Sequence, residues 1–332
     1  MKDNCCVAIA DFITDDLQPE RRILGDTARV VALDAKREED LIGRIEDVDA
    51  IVLYHAISIT RMTIERLTRC KVIVRGGVGY DNVDWRAARE HNIPVAIVPD
   101  YGSEEVADTA IGMTLALTRG IHLQNSRLRS GPGVWDYTNA VPLTRLRGSV
   151  FGVVGLGRIG SAAALRAKAL GMDVVFYDPY KPDGYDRTLG IRRVETLEAL
   201  LSQSMVVSLH CPHTEETRGM INADAIARMP AGSYLVNTAR GAIVDTSAIP
   251  QALASGQLAG AGIDVLPQEP PAKDDPLIVA WRDPSHAAYE RLILNPHSAF
   301  YSEEGLLDIR TKSTETCRRA IAGEPLRNVV NQ

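Results

Sequence analysis

Short apolar runs alternate with amphipathic stretches along almost the whole chain, the pattern of strands and helices taken in turn. In the N-terminal third, apolar runs at 7–10, 29–33, 50–53, 72–75 and 95–97 predict strands, and the amphipathic stretches 39–46 and 63–68 predict helices between them. A long helix is expected over 103–130, where Ala, Leu and Met recur at helical spacing. Ser103 fits its N-cap, and Gly131-Pro132-Gly133 should stop it. A second series follows, with strands expected at 150–154, 173–177, 205–209, 234–237, 262–264 and 292–294. Residues 267–291, rich in Pro, Asp and His, read as one long irregular loop, and a last helix is expected over 302–322. Strands separated by helices in this way predict an α/β protein with parallel sheets.

A chain of 332 residues exceeds what one hydrophobic core usually serves, so two domains are expected. At 45% hydrophobic and 24% charged the composition is that of an ordinary globular protein. The formal net charge of -6 argues against a nucleic-acid partner, which needs clustered Lys and Arg. It leaves room for a small anion held by a single Arg. The opening Met1-Lys2-Asp3-Asn4 does not read as a leader, and no apolar stretch approaches the ~20 residues of a membrane span. Five cysteines without metal-site spacing read as thiols in a reducing cytoplasm, and no metal site is expected.

The most specific motif is Gly155-Leu156-Gly157-Arg158-Ile159-Gly160, which follows the predicted strand 150–154 and opens a helix. Gly155 would allow the tight turn, Gly157 the close approach of a pyrophosphate, and Gly160 close packing of helix on strand. The pyrophosphate would sit at the positive N-terminus of that helix. Asp178 closes the next predicted strand, where its carboxylate can accept from ribose hydroxyls and repel a 2′-phosphate. These features together predict a dinucleotide site that takes NAD rather than NADP. Lys181 reads as a solvated loop lysine.

Three later segments carry candidate chemistry. Val236-Asn237-Thr238-Ala239-Arg240-Gly241 sets an Arg just after a strand, Asp264-Val265 leads to Glu269-Pro270, and Asn295-Pro296-His297 follows the last strand. Taken singly, each is compatible with a surface ion pair or a plain loop. In this order, after the nucleotide motif, they resemble the D-2-hydroxyacid dehydrogenase family over almost the entire chain. Gly76-Gly77-Val78-Gly79-Tyr80-Asp81-Asn82-Val83-Asp84 is similar to that family's substrate-domain signature. The resemblance implies an NAD-dependent enzyme acting on a small 2-keto or 2-hydroxy acid. Arg240 would bind the carboxylate and polarise the keto oxygen, His297 would be the acid/base, and Glu269 would hold its other ring nitrogen and favour its charged form. The amides of Gly77, Val78 and Gly79, with Arg75, would hold the substrate carboxylate.

By the same resemblance, Arg158 and Ile159 would meet the pyrophosphate, and His210, Pro212 and Thr217 the adenine side. Thr238, Asp264 and Val106 would lie at the nicotinamide end. Phe300 and the segment 267–291 are expected to shape substrate choice. The implied architecture is a Rossmann NAD-binding domain, residues 102–298, inserted in a flavodoxin-like substrate domain of residues 1–101 plus 299–332. A homodimer through the Rossmann domain is implied as well, with 123–135 as a candidate contact. Within the family the likeness is strongest to the C-terminal-binding-protein corepressors, on Leu53-Tyr54-His55, Phe176-Tyr177-Asp178-Pro179-Tyr180 and Phe300-Tyr301-Ser302-Glu303. Two alternatives to the enzyme follow: an NAD-sensing corepressor or scaffold, and phosphoglycerate dehydrogenase. The intact Arg240, Glu269 and His297 set and the lack of a long tail favour the enzyme over the corepressor, and the lack of room for an extra regulatory domain disfavours the third reading.

Overall fold

The computed structural model describes residues 5–131, 135–140 and 142–332. The opening Met1 to Asn4, and residues 132–134 of the expected helix stop and dimer contact, lie outside the described residues. The chain divides into two compact units, one of residues 1–102 with 302–332, the other of 103–301.

The first unit is a five-stranded parallel sheet of β1 (Cys5–Ile9), β2 (Ala28–Ala32), β3 (Ala50–Leu53), β4 (Ile73–Arg75) and β5 (Val95–Ile97), in the order β2-β1-β3-β4-β5. That is the flavodoxin-like order, with its reversal point between β1 and β3. Val7, Ile9, Val52 and Val74 face one core and Ala8, Ile51, Leu53 and Ile73 the other, so both faces are covered. The final helix, Glu303–Ala322, is N-capped by Ser302, whose hydroxyl accepts from Gly305 N. Arg310 fixes it to the β1 end, where both nitrogen edges of its guanidinium grip Glu20 and Asp15 at 2.6–2.8 Å. Glu20 is fully buried.

The second unit is a seven-stranded parallel sheet: β6 (Val150–Val154), β7 (Asp173–Tyr177), β8 (Arg192–Arg193), β9 (Val206–Leu209), β10 (Ser233–Asn237), β11 (Leu258–Ile263) and β12 (Leu292–Leu294). Its order is β12-β11-β10-β9-β6-β7-β8, the doubly wound Rossmann arrangement with one further strand. The order reverses between β6 and β9, and the carboxyl ends of those strands bound the crevice in which such sheets take ligands.

Four expectations need correction. The stretch 39–46 forms only a single 3-10 turn, Glu38–Leu41, whose Asp40 carboxylate ties back to Lys36 N and Arg37 N. The long helix is two, Ser103–Thr118 and Ile121–Ser130, broken where Gly120 adopts φ 61°. The expected loop 267–291 holds two helices, Pro276–Arg282 and Ala288–Arg291. The first has its start written in sequence: Asp275 accepts from Leu277 N and Ile278 N, and Pro276 occupies the first turn. The strand expected at 262 begins at Leu258. Among the described residues, no helix is long and apolar enough to cross a membrane.

Candidate active site

The glycine-rich turn follows β6 directly. Gly155 has φ 88°, and a Cβ there would stand 2.6 Å from Cys211 N and 2.7 Å from its Cα. Only glycine fits both demands. A Cβ on Gly160 would overlap the Gly155 carbonyl, so this glycine sets how closely the helix Arg158–Ala169 packs. Gly157 is the N-cap, extended, with open space where a side chain would be. Its neighbours Arg158 and Ile159 therefore present first-turn amides to that space, where an anion would be stabilised.

Asp178 closes β7 beside this turn. One carboxylate oxygen accepts from Leu156 N at 2.8 Å and the other from Tyr180 N at 3.0 Å, which leaves lone pairs on each for ribose hydroxyls. Lys181 turns away: its ammonium lies 4.9 Å from the centre of the Tyr185 ring. Past Asp178, the Tyr180 hydroxyl donates to Glu216 in the loop after β9. Sequence reasoning passed over this pair because an isolated Tyr and Glu carry no local signal.

On β9 and the loop beyond it, His210 Nε2 pairs with Ser208 Oγ at 2.8 Å, and burial pushes its pKa down to about 4, so the ring is neutral. Its Nδ1 is buried without a hydrogen-bond partner, as is Thr238 Oγ1 after β10. Buried polar atoms are nearly always satisfied, so both fit groups that a bound dinucleotide would meet. The Thr217 hydroxyl is spent locally on Pro212 O, 2.7 Å away, which shapes the turn carrying Pro212. Val106 is buried on the first turn of the helix Ser103–Thr118, which packs on β10 and β11.

Arg240, Glu269 and His297 follow β10, β11 and β12, three neighbouring strands. Asn237 braces the first loop, donating to Arg240 O at 2.9 Å and accepting from Ala239 N at 3.0 Å. Gly241 lies hard against the backbone of Leu266 and Pro267, so the Arg240 loop and the Glu269 loop are in contact. His297 Nδ1 stands 2.6 Å from Glu269 Oε2, and Glu269 Oε1 accepts from Leu266 N at 2.7 Å.

His297 adopts φ 52°, which is uncommon for a residue with a Cβ and is held here by Asp264. The Asp264 carbonyl accepts from His297 N at 2.8 Å, and its carboxylate Oδ1 accepts from Ser298 N and Ala299 N. Asp264 is almost fully buried, and that desolvation raises its carboxyl above the usual range. Phe300 presents its ring nearly edge-on to His297, centroids 6.4 Å apart.

Arg75, Gly77, Val78 and Gly79 belong to the first unit, in the turn after β4. Arg75 is buried, donates to Gly76 O at 2.9 Å and reaches Asn82 Oδ1 at 3.5 Å. Gly77 has φ 145°, and a Cβ there would overlap the Arg75 guanidinium. Asn82 in turn donates to Tyr54 O and Ile57 O. The cradle is thus a backbone turn built over one buried cation.

Residues 111–299 match the description of the D-isomer specific 2-hydroxyacid dehydrogenase NAD-binding domain. Over 321 residues, 96% of this chain and 59% of the other, the chain is 35% identical to D-3-phosphoglycerate dehydrogenase of Methanocaldococcus jannaschii. The chain belongs to the D-isomer specific 2-hydroxyacid dehydrogenase family. Identity to C-terminal-binding protein 1 of Caenorhabditis elegans is also 35%, over 93% of this chain and 42% of that one. The two relatives are matched at equal identity, which supports the family and not one subgroup of it. The chain spans less than two thirds of the length of both relatives. Among solved structures, D-lactate dehydrogenase from Aquifex aeolicus, complexed with NAD and lactic acid, aligns with a TM-score of 0.84 at 27% identity, covering 96% of each chain. The nucleotide that this family domain takes is NAD, and the glycine turn, Asp178, His210 Nδ1 and Thr238 Oγ1 fit it.

Proposed function

We propose that the chain is an NAD-dependent dehydrogenase interconverting a D-2-hydroxy acid and its 2-keto acid. The observation that carries this reading is the His297–Glu269 pair at 2.6 Å, set at the carboxyl edge of a nucleotide-binding sheet beside the Arg240 loop. Bound NADH supplies the hydride. The residues do the rest. Arg240 holds the substrate carboxylate and polarises the keto oxygen with a planar fork. His297 gives its Nε2 proton to that oxygen in reduction and takes it back in oxidation. Glu269 keeps Nδ1 protonated and balances the imidazolium charge. The amides of Gly77, Val78 and Gly79, over Arg75, hold the carboxylate. Phe300 bounds the space beside His297.

Arg158, Ile159, Asp178, His210, Pro212, Thr217, Thr238, Asp264 and Val106 are assigned to the cofactor, with Asp178 setting NAD over NADP. The same proposal includes a cytoplasmic homodimer: the five cysteines are free thiols, and Ile121, Trp135 and Tyr137 of the second unit are large apolar side chains left exposed. The test is a panel of 2-keto acids (glyoxylate, hydroxypyruvate, pyruvate, phenylpyruvate and branched-chain acids) followed by NADH oxidation. Turnover of at least one acid, abolished in Arg240→Ala, supports the reading. No turnover of any acid by folded, NADH-binding protein overturns it.

A further inference from the structure

The carboxyl ends of β1 and β3 meet at the point where the first unit's sheet order reverses, where α/β sheets take ligands. Three aromatic rings gather there. Phe12 lies 5.4 Å from Tyr54 and 4.9 Å from His55 between ring centroids, tilted by 48° and 55°. Tyr54 is buried against the start of the cradle turn, since a Cβ on Gly76 would stand 2.8 Å from its Cε1. The cluster therefore borders the backbone assigned to the substrate carboxylate.

Phe12 is held there against its own preference. Its φ is 66°, a region that bulky residues rarely enter, and Ile13 N donates to Asp11 O at 2.8 Å across it. This is the tight, positive-φ form of the γ-turn, which is strained. Asp11, fully buried, fixes the facing loop by accepting from Tyr54 N at 2.6 Å and Ala56 N at 2.8 Å. Phe12 is 41% exposed all the same, with its ring against Tyr54 and His55. Strain that holds a large, partly exposed apolar ring at such a place is the kind that concentrates at ligand sites.

The charge around the cluster is equally informative. Residues 10–13, 54–57 and 76–83 contain no Lys or Arg. Arg75 is committed beneath the cradle, and the Asp11 carboxyl next to Phe12 is buried. A phosphorylated substrate would bring a dianion to an aromatic surface to which these segments contribute no cation.

From this placement we infer that Phe12, with His55, is a specificity wall for the substrate side chain, selecting 2-keto acids with aromatic or branched apolar groups and rejecting phosphorylated ones. The inference rests on the dehydrogenase reading only for the reaction, not for the binding surface. Two readouts keep them apart. In turnover with NADH, phenylpyruvate should exceed 3-phosphohydroxypyruvate in kcat/KM by at least ~tenfold. Phe12→Ala should lower the phenylpyruvate value by ~10–100-fold and leave that of glyoxylate, which has no side chain, within ~threefold, the range expected for a lost pocket wall. Phe12→Leu should fall between. The second readout needs no turnover: phenylpyruvate should raise the melting temperature of the NADH-bound parent and lose that effect in Phe12→Ala. Equal losses on both acids, an unchanged phenylpyruvate value, a preference for the phosphorylated acid, or no phenylpyruvate-dependent melting shift in the parent would each overturn the wall. A melting shift that depends on Phe12, without turnover of any acid, would instead leave the wall standing and overturn the dehydrogenase.

Discussion

Glu269→Gln removes one charge and almost no volume, which makes it the sharpest probe of the proton-transfer pair. Glu269 holds both loops, with Oε2 at 2.6 Å from His297 Nδ1 and Oε1 accepting from Leu266 N at 2.7 Å. Glutamine has a single acceptor oxygen. If that oxygen keeps Leu266, the amide nitrogen faces Nδ1 and can only donate, which holds the ring neutral. If it turns to Nδ1, the imidazolium keeps an acceptor but loses the anion. In both cases the protonated form needed for reduction is disfavoured. A hydrogen bond to a charged group is worth about 1.5–3 kcal/mol. With the two side chains 21% and 33% exposed, screening reduces this to about 1–2 kcal/mol. At about 1.4 kcal/mol per factor of ten, the reduction rate should fall by about 5- to 30-fold. The sign is fixed: reduction consumes the imidazolium, so losing its partner slows reduction. The assay is kcat for a reduced 2-keto acid, with NADH affinity measured by fluorescence titration. NADH affinity should be nearly unchanged, because Glu269 is not assigned to the nucleotide. An unchanged kcat in folded protein would refute the pairing as a functional one.

Asp178→Ala should narrow an NADH-over-NADPH preference that we expect to be at least ~tenfold in the parent, since the carboxylate would face a 2′-phosphate. It should also weaken NADH itself, because Leu156 N loses its acceptor; unchanged ratios would place Asp178 away from the ribose. Gly155→Ala forces a left-handed alanine, about 1–2 kcal/mol, onto a Cβ that meets Cys211 backbone at 2.6 Å. A melting point lower by about 5 °C or more and at least ~tenfold weaker NADH binding are expected, and a neutral variant would contradict the turn geometry. Arg310→Met leaves Glu20 buried and unpaired, and urea unfolding should show a loss of about 3–5 kcal/mol. A loss below about 1 kcal/mol would mean that the ion cluster does not hold the last helix. Asp15, held by Arg310 below the ordinary carboxyl range, contributes at neutral pH, and its share is lost only as acid protonates it.

Much of this architecture was legible because buried parallel strands are short, apolar and separated by turns. All eleven expected strands are present, and only the two-residue β8, Arg192–Arg193, had no apolar run to announce it. Helices were harder. The break at Gly120 interrupts a stretch otherwise rich in helix formers, and that glycine takes a left-handed φ. The segment 267–291 looked irregular because its Pro and Asp residues were read as loop markers, whereas Asp275-Pro276 is a helix start. Of the candidate site, the residues that the sequence offers are those in dense local motifs: the glycine turn, Asp178, Arg240, Glu269 and His297. The supporting contacts could not. Asp11 reads as a polar interruption of an apolar run until the fold brings Tyr54 and Ala56 to its two oxygens, residues more than forty positions away. Phe12 carries no signal at all without its φ.

The most direct measurement follows the hydride itself. The protein is incubated with NADH deuterated at C4 of the nicotinamide and with a 2-keto acid that it consumes. The product is then resolved by chiral chromatography and examined by proton NMR. Deuterium at C2 of a D-2-hydroxy acid, with the rate at least ~100-fold lower in a His297→Ala variant, is the predicted result. Product of L configuration, product without label at C2, or full activity without the imidazole would contradict the account.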